Sequence, residues 1–447
     1  PRERLQNLMN FGLPIMTGVV QNQDSYMKGK IAQRAFYDRV PHFLERAFEE
    51  FYQATGRRYG FLDGYRMEDA EYAIVGMGSA METAVATADY LREKEGLPVG
   101  VVHVTVFRPF PGARLVEALK GVKAFSVVER MDNPIAQSNP LTCEIKAAFA
   151  DALAGAEGYP RVERIPRILS GSGGLGSRDI RPGDFVAMCR NMQEGTGRSF
   201  FVVGIEHPLA LDRTVDPDVR PPGAFSMRGH SVGGYGSVTT NKVIASLLED
   251  IFGLQVQAYP KYGSEKKGLP TTYYLTVAEA PIRTHCELEQ VDFVPMNDVN
   301  AFNVGNPLEG LREGGMVFIQ TDQTTPESVW GGIPERAKRM IRENRLRVFC
   351  LDTVKIAREV SSQPDLVQRM QGIVLLGIFL RCTPFVEQRG LSEEKLFEGV
   401  ERSLRKYFGK RGEQVVQDNL TAVRRGFGEV FEVPREVMEE AEAVEVR

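Results

Sequence analysis

The stretch "YAIVGMGSAMETAVATADYLREKEG" (72–96) constrains the fold of this chain more than any other. A short apolar run meets Gly76 and Gly78 and passes at once into a helical pattern, with Ser79 or Thr83 near its start. That is the order of a strand, a glycine-containing turn and a helix. The unit then repeats. "VGVVHVTVFRPF" (99–110) reads as a second strand closed by Pro109, "PGARLVEALKG" as a helix, "VKAFSVVER" (122–130) as a third strand and "LTCEIKAAFADALAG" as another helix. Strands separated by single helices predict a parallel sheet with crossover connections.

Around this unit the chain divides further. Residues 17–30 read as a polar loop, and the apolar residues Phe36, Val40, Phe43, Leu44, Ala47 and Phe51 predict a helix over 31–54 that Pro41 kinks or splits. Residues 55–71 read as a linker. The α/β unit ends in "SGSGGLGSRDIRPGD" (170–184) and a short helix to Met192. After a second linker at 193–199, "FFVVGIEH" (200–207) is expected to open a new domain. Apolar runs at 253–262, 272–282 and 315–322 and a strand-to-helix passage at 345–359 belong to it, followed by helices over 364–408 and 412–430 and an acidic tail.

Composition narrows the function. In 447 residues, 43% are hydrophobic and 26% charged, which is ordinary for a globular protein. A net charge of −4 argues against bulk binding to nucleic acid or to a membrane surface. No apolar run reaches the roughly 18 residues of a membrane span. The start "PRERLQNLMNFG" lacks the apolar core of a secretion signal, and it lacks an initiator Met, so the chain is either processed or begins inside a longer polypeptide. Cys143, Cys189, Cys286, Cys350 and Cys382 are isolated, with no CxxC pair, which excludes an iron–sulfur cluster held by this chain alone. Free thiols without a signal peptide predict a cytoplasmic location. Cys286 follows His285, but two adjacent ligands make a poor zinc site. His207 and His230 lie near loop ends and are placed to face a cleft, whereas His42 and His103 read as structural.

The richest local signal is "MRGHSVGGYGSVTTNKVIASLLED" (227–250). Glycines at 229, 233, 234 and 236 let backbone approach a ligand, and a helix beginning near Ser237 to Thr239 offers free N–H groups to an anion. Asn241 and Lys242 fall in its first turns. The stretch is neither a GxGxxG fingerprint nor a GK[ST] phosphate loop. On the residues alone, an anion site and a plain glycine-rich turn both remain open. "YPKYGSEKKGLPTTYY" (259–274) adds Lys261, Lys266 and Lys267 in one loop after a strand. Alone that is a solvated basic loop. Loops after strands gather at the carboxyl edge of an open α/β sheet, however, so both stretches can line one crevice for a phosphate-rich ligand.

In order, these pieces resemble a known family. "TGVVQNQDSY", the 72–110 stretch, "SVVERMDNP" and "GGLGSRDIRPGD" are similar to the end of domain I and to domain II of pyruvate:ferredoxin oxidoreductase. "GGYGSVTTNKVIA", "SEKKGLPTTYYLTVAEAPIRTHCELEQVDFV", "LEGLREGGMVFIQTD", "RVFCLDTVKIARE" and "KRGEQVVQDNLTAV" resemble its domain III, the gamma subunit of split 2-oxoacid:ferredoxin oxidoreductases. The resemblance implies two parallel-sheet α/β domains, a transketolase C-terminal-like domain at 66–195 and a gamma-type domain at 198–447, preceded by a helical remnant of domain I and linker at 1–65. It implies one segment of a thiamine-diphosphate enzyme that oxidatively decarboxylates a 2-oxoacid, with pyruvate expected, reversibly and so in the direction of CO2 fixation too. Electrons leave through iron–sulfur clusters to ferredoxin or flavodoxin, and the acyl group goes to coenzyme A. Thiamine diphosphate, Mg2+ and the clusters are then expected on partner domains or subunits, in a dimer of the whole assembly, with no catalytic residue and no metal on this chain. Carried over, Gly233, Gly234, Gly236, Ser237, Asn241 and Lys242 contact coenzyme A, and Lys266 and Lys267 meet its phosphates. Two positions depart from the family pattern: Tyr235 stands where gamma subunits have Gln, and "QNQDSY" (21–26) replaces a Gln-Asn-Pro-Asp version. The alternative is a scaffold subunit that keeps the fold without the ligand.

Overall fold

A computed structural model describes residues 12, 20–232, 237–261, 270–298 and 300–439. Glycines 233, 234 and 236 and lysines 266 and 267 lie outside the described residues. The chain groups into two units. One takes Pro1–Met81, Leu91–Arg178 and Asp184–Asp212, and the other takes Glu82–Tyr90, Asp179–Gly183 and Arg213–Arg447.

The N-terminal helix divides. Tyr26–Ala32 (α1) and Arg34–Tyr37 (α2) precede Val40–Thr55 (α3), so helix starts earlier than the sequence suggests. Pro41 stands in the first turn of α3, where a missing N–H costs nothing. Phe36, Phe43 and Phe51 are exposed.

The first sheet is built from Leu62–Tyr65 (β1), Tyr72–Gly76 (β2), Val99–Val104 (β3), Ala124–Glu129 (β4), Arg167–Ser172 (β5) and Phe200–Val202 (β6), in the order β1-β3-β2-β4-β5-β6. All neighbours are parallel except β1, which pairs antiparallel with β3. Helices Ala80–Glu95 (α4), Gly112–Leu119 (α5), Pro140–Ala154 (α6) and Pro182–Gln193 (α7) alternate with the strands. Because both faces of such a sheet are buried, its strands are nearly continuous apolar runs. Ala73, Val75, Phe125 and Val127 form a core with Leu115 of α5 and Phe149 of α6. The rings of Phe125 and Phe149 stack at 5.8 Å.

Two expectations need correction here. The linker expected at 55–71 contains β1, an edge strand too short and polar to be seen by periodicity. Phe200–Val202, expected to open the second domain, instead pairs with Ser170–Ser172 as the last strand of the first sheet. The new domain therefore does not start at 198 or 200.

The second sheet contains Phe225–Val232 (β7), Gln255–Lys261 (β8), Pro270–Ala278 (β9), Val291–Met296 (β10), Leu311–Gln320 (β11), Arg347–Leu351 (β12) and Phe431–Glu432 (β13), in the order β13-β12-β11-β10-β7-β9-β8. Strands β12, β11, β10 and β7 are parallel, and β9 forms an antiparallel hairpin with β8. Ser237–Phe252 (α8) joins β7 to β8, Ala301–Val304 (α9) lies between β10 and β11, and Pro326–Gly331 (α10) and Glu335–Glu343 (α11) lie between β11 and β12. Thr353–Val360 (α12), Val367–Cys382 (α13), Phe385–Gln388 (α14), Glu393–Phe408 (α15) and Glu413–Glu429 (α16) follow.

Period-2 alternation assigns the faces. Phe293, Phe318 and Phe349 point into one core with α8, α13, α15 and α16. Val294, Val317 and Val348 point into the other with Trp330 and Ile341. The fold is α/β throughout, with helices on both faces of the second sheet. The crossover from β7 runs toward β8, and those from β10 and β11 run toward the opposite edge. The carboxyl ends of β7 and β10 therefore flank a topological switch point, where ligands of open α/β sheets bind.

Candidate functional site

The end of β7 carries Gly229, His230 and Ser231 into the glycine loop. Gly229 is not a ligand-approach glycine. A Cβ there would stand 1.9 Å from Cζ of Tyr273 on β9, so the glycine makes room for that buried ring. Val232, the last residue of β7, is the register partner of Pro270, the first of β9. The glycine loop therefore leaves the sheet where the lysine loop returns to it. Helix α8 begins at Ser237, so its N-terminal end stands at the same edge.

The other expected contacts divide. Asn241 is 3% exposed and donates Nδ2–H to the Tyr274 carbonyl at 2.9 Å, which ties α8 to β9, while its Oδ1 has no hydrogen-bond partner among the described residues. Lys242 is exposed on α8. Lys261, at the end of β8, pairs with the Glu287 carboxylate. Its charge is thereby matched.

A cavity of about 190 Å3 opens between the ends of β7 and β10. His230, Ser231, Thr271, Thr272 and Asp298 line it, together with residues of the β10–β11 connection. Met296 of β10 is in register with His230, and the Asn297 N–H donates to the His230 carbonyl at 2.8 Å. Arg228 fixes the far wall by donating to the Pro307 carbonyl at 3.1 Å. Ser231 is 2% exposed, and neither its hydroxyl nor Nε2 of His230 has a partner among the described residues. Burial, aided by the Arg228 charge and opposed by Asp298, lowers the His230 pKa to about 4, so its imidazole is neutral at pH 7. Asp298 Oδ1 accepts from the Asn300 N–H at 2.9 Å. A larger cavity of about 590 Å3 continues past Asp298 along the ends of β10, β11 and β12, by Gln320 and Asp352.

Of the lining groups, the sequence pointed only to His230. Ser231 stands directly before the glycines, a signal of position alone. Asp298 follows β10, whose "VDFVPM" is interrupted by Asp292 and Pro295 and did not read as a strand.

Metal and cluster chemistry does not fit these residues. Among the described residues no group of three or more His, Cys, Asp and Glu could hold a metal ion. Cys189, Cys350 and Cys382 are buried, and burial pushes the Cys350 and Cys382 thiols up to about 12. No helix among the described residues is long and apolar enough to cross a membrane.

Two family models match. One, described as pyruvate ferredoxin/flavodoxin oxidoreductase, covers 226–429. The other, pyruvate:ferredoxin oxidoreductase core domain II, covers 70–184. A probable pyruvate-flavodoxin oxidoreductase of Escherichia coli is 28% identical over 94% of this chain and 35% of its own length. A putative pyruvate-flavodoxin oxidoreductase of Synechocystis is 28% identical over 96% of this chain and 35% of its own. The pyruvate:ferredoxin oxidoreductase of Moorella thermoacetica is 27% identical over 96% and 35%. The chain thus spans about a third of the length of these curated relatives.

Proposed function

The chain belongs to the pyruvate:ferredoxin/flavodoxin oxidoreductase family, and from that premise we propose that it is the segment of a 2-oxoacid oxidoreductase that holds coenzyme A for acyl transfer. Pyruvate is the expected 2-oxoacid, and ferredoxin or flavodoxin the expected electron acceptor. Thiamine diphosphate, Mg2+ and iron–sulfur clusters would be held by the rest of the enzyme.

One observation carries this reading: Val232 and Pro270 are paired, which brings the bases of the glycine and lysine loops to one sheet edge beside the start of α8. Backbone N–H groups at a helix start and two lysines suit the several negative charges of coenzyme A. Held by its phosphates, the thiol substrate would be positioned for a reaction on the partner domains, and this chain would contribute binding rather than bond-making.

The test is coenzyme A affinity of the enzyme that contains this chain. Lys266→Ala with Lys267→Ala should weaken it about tenfold or more, with the larger loss at low salt. Unchanged affinity would remove coenzyme A from these loops. An enzyme with no affinity at all would favour the scaffold reading.

A further inference from the structure

The carboxyl edge of the first sheet carries apolar side chains in solvent. Met77 follows β2, Ile135 lies in the loop after β4, Leu175 in the turn after β5 and Ile205 in the turn after β6. All four are exposed, Ile135 at 97%. Their strands are consecutive in the sheet and parallel, with Gly76 beside Val128, Glu129 beside Ser172 and Ser172 beside Val202. At about 4.8 Å per strand, the four loops share a rim about 15 Å across. The loops are tied to one another. Arg130 donates Nε–H to the Gly174 carbonyl at 3.1 Å, which joins the loop after β4 to the turn after β5. Arg178 donates Nε–H to the Gly204 carbonyl at 2.6 Å, which joins that turn to the one after β6. Within the β4 loop, Asn139 donates to the Met131 carbonyl at 3.2 Å and accepts from the Asn133 N–H at 3.0 Å.

A single exposed apolar residue is ordinary, but four on neighbouring loops mark an interaction surface. Because the loops are already fixed, little ordering entropy opposes a partner that closes on them. Arg130 and Arg178 spend one N–H each on a carbonyl, and neither pairs with a carboxylate among the described residues. Arginine and methionine beside apolar groups are what stable interfaces concentrate. We propose that this rim is the face on which the part of the enzyme outside this chain packs, through an apolar surface that brings a carboxylate to Arg130 and Arg178. The proposal rests on the reading of the chain as one segment of a larger enzyme, which is supported by relatives of which it spans 35%. A second copy of the chain suits the rim less. A twofold contact centred there would set each arginine against the same residues of its copy, and like charges across an interface are costly.

The test uses the enzyme that contains this chain, with the photo-crosslinking residue p-benzoylphenylalanine replacing Ile135 or, as a control, Leu153. Leu153 is also exposed but stands at the far end of α6, away from the rim. Irradiation should link position 135 to polypeptide outside residues 1–447, with a yield about tenfold or more above that from position 153. Leu175→Asp should lower the yield from position 135 about tenfold, because it puts a charge where apolar surface has to close. The comparison of the two probe positions needs no destabilising variant, so the result does not depend on Leu175→Asp folding. Links only within this chain or to a second copy of it, or equal yields from both positions, would overturn the docking face. The larger-enzyme reading would then still stand on co-purification of the remaining segment. A chain that purifies with no further segment would remove that reading, and the docking face with it.

Discussion

At the scale of single residues, His230 carries a cost that appears at acid pH. Its folded pKa lies near 4 against an ordinary 6.5. As pH falls through 6.5 the unfolded chain takes up a proton that the folded chain refuses until about 4. Stability therefore declines across that window and levels off below it, by up to about 3 kcal/mol. His230→Asn should remove this component. The stability difference between parent and variant, from urea unfolding at pH 7 and at pH 5, should shift by about 2 kcal/mol in favour of the variant at the lower pH. No shift would mean that the imidazole is hydrated. Gly229 illustrates what residue type alone does not reveal. Four glycines in eight positions read as one ligand loop, yet Gly229 sits inside β7 because Tyr273 lies across it. Gly229→Ala should destabilise the second unit by overpacking, with no charge dependence in the effect.

Among the elements, α13 and α16 pack backbone against backbone at two glycines. A Cβ on Gly377 would meet the Val423 carbonyl at 2.0 Å, and one on Gly426 would meet the Val374 carbonyl at 2.2 Å. Each glycine thus faces the other helix's backbone. Gly377→Ala should cost about 1–3 kcal/mol in thermal or urea unfolding. Gly428→Ala, on the same helix as Gly426 but with nothing within 4 Å, should be neutral or stabilising. A loss of equal size at both positions would assign the effect to helix propensity and not to packing. The longer helices, such as α4, α6, α13 and α16, were legible from their apolar residues, and so were strands β2 and β4, whose runs are continuous, whereas α10 and α11 between β11 and β12 were not read. Strands β1, β6 and β10 were not, because two are very short and Asp292 and Pro295 interrupt the third. The two loops were visible as glycines and lysines. The nearness of the residues that flank them depends on the antiparallel return of β9 to β7, and the cavity depends on β10. Neither pairing is local in sequence.

The whole chain has two sheets with separate cores. Denaturation should proceed in two steps, and the lone tryptophan separates them. Trp330 is 2% exposed and packs in the second unit, so its fluorescence should follow that unit alone, while far-ultraviolet circular dichroism follows both. Gly377→Ala should move only the transition that fluorescence sees. Coincident curves by both probes, moved together by the variant, would show instead that the units unfold as one.

The hairpin of β8 and β9 has a consequence for how such a chain can change over time. The glycine loop is fixed at one end by a central strand and at the other by a helix whose first turns are tied into the sheet through Asn241. The lysine loop is only the tip of an edge hairpin, and doubling the length of such a loop costs about 0.6 kcal/mol. Insertions and charge changes can therefore accumulate at 262–269 with little disturbance to the fold. On the proposed reading, ligand affinity and salt response are then free to drift at these positions between related proteins while the strands that carry the loop stay constant.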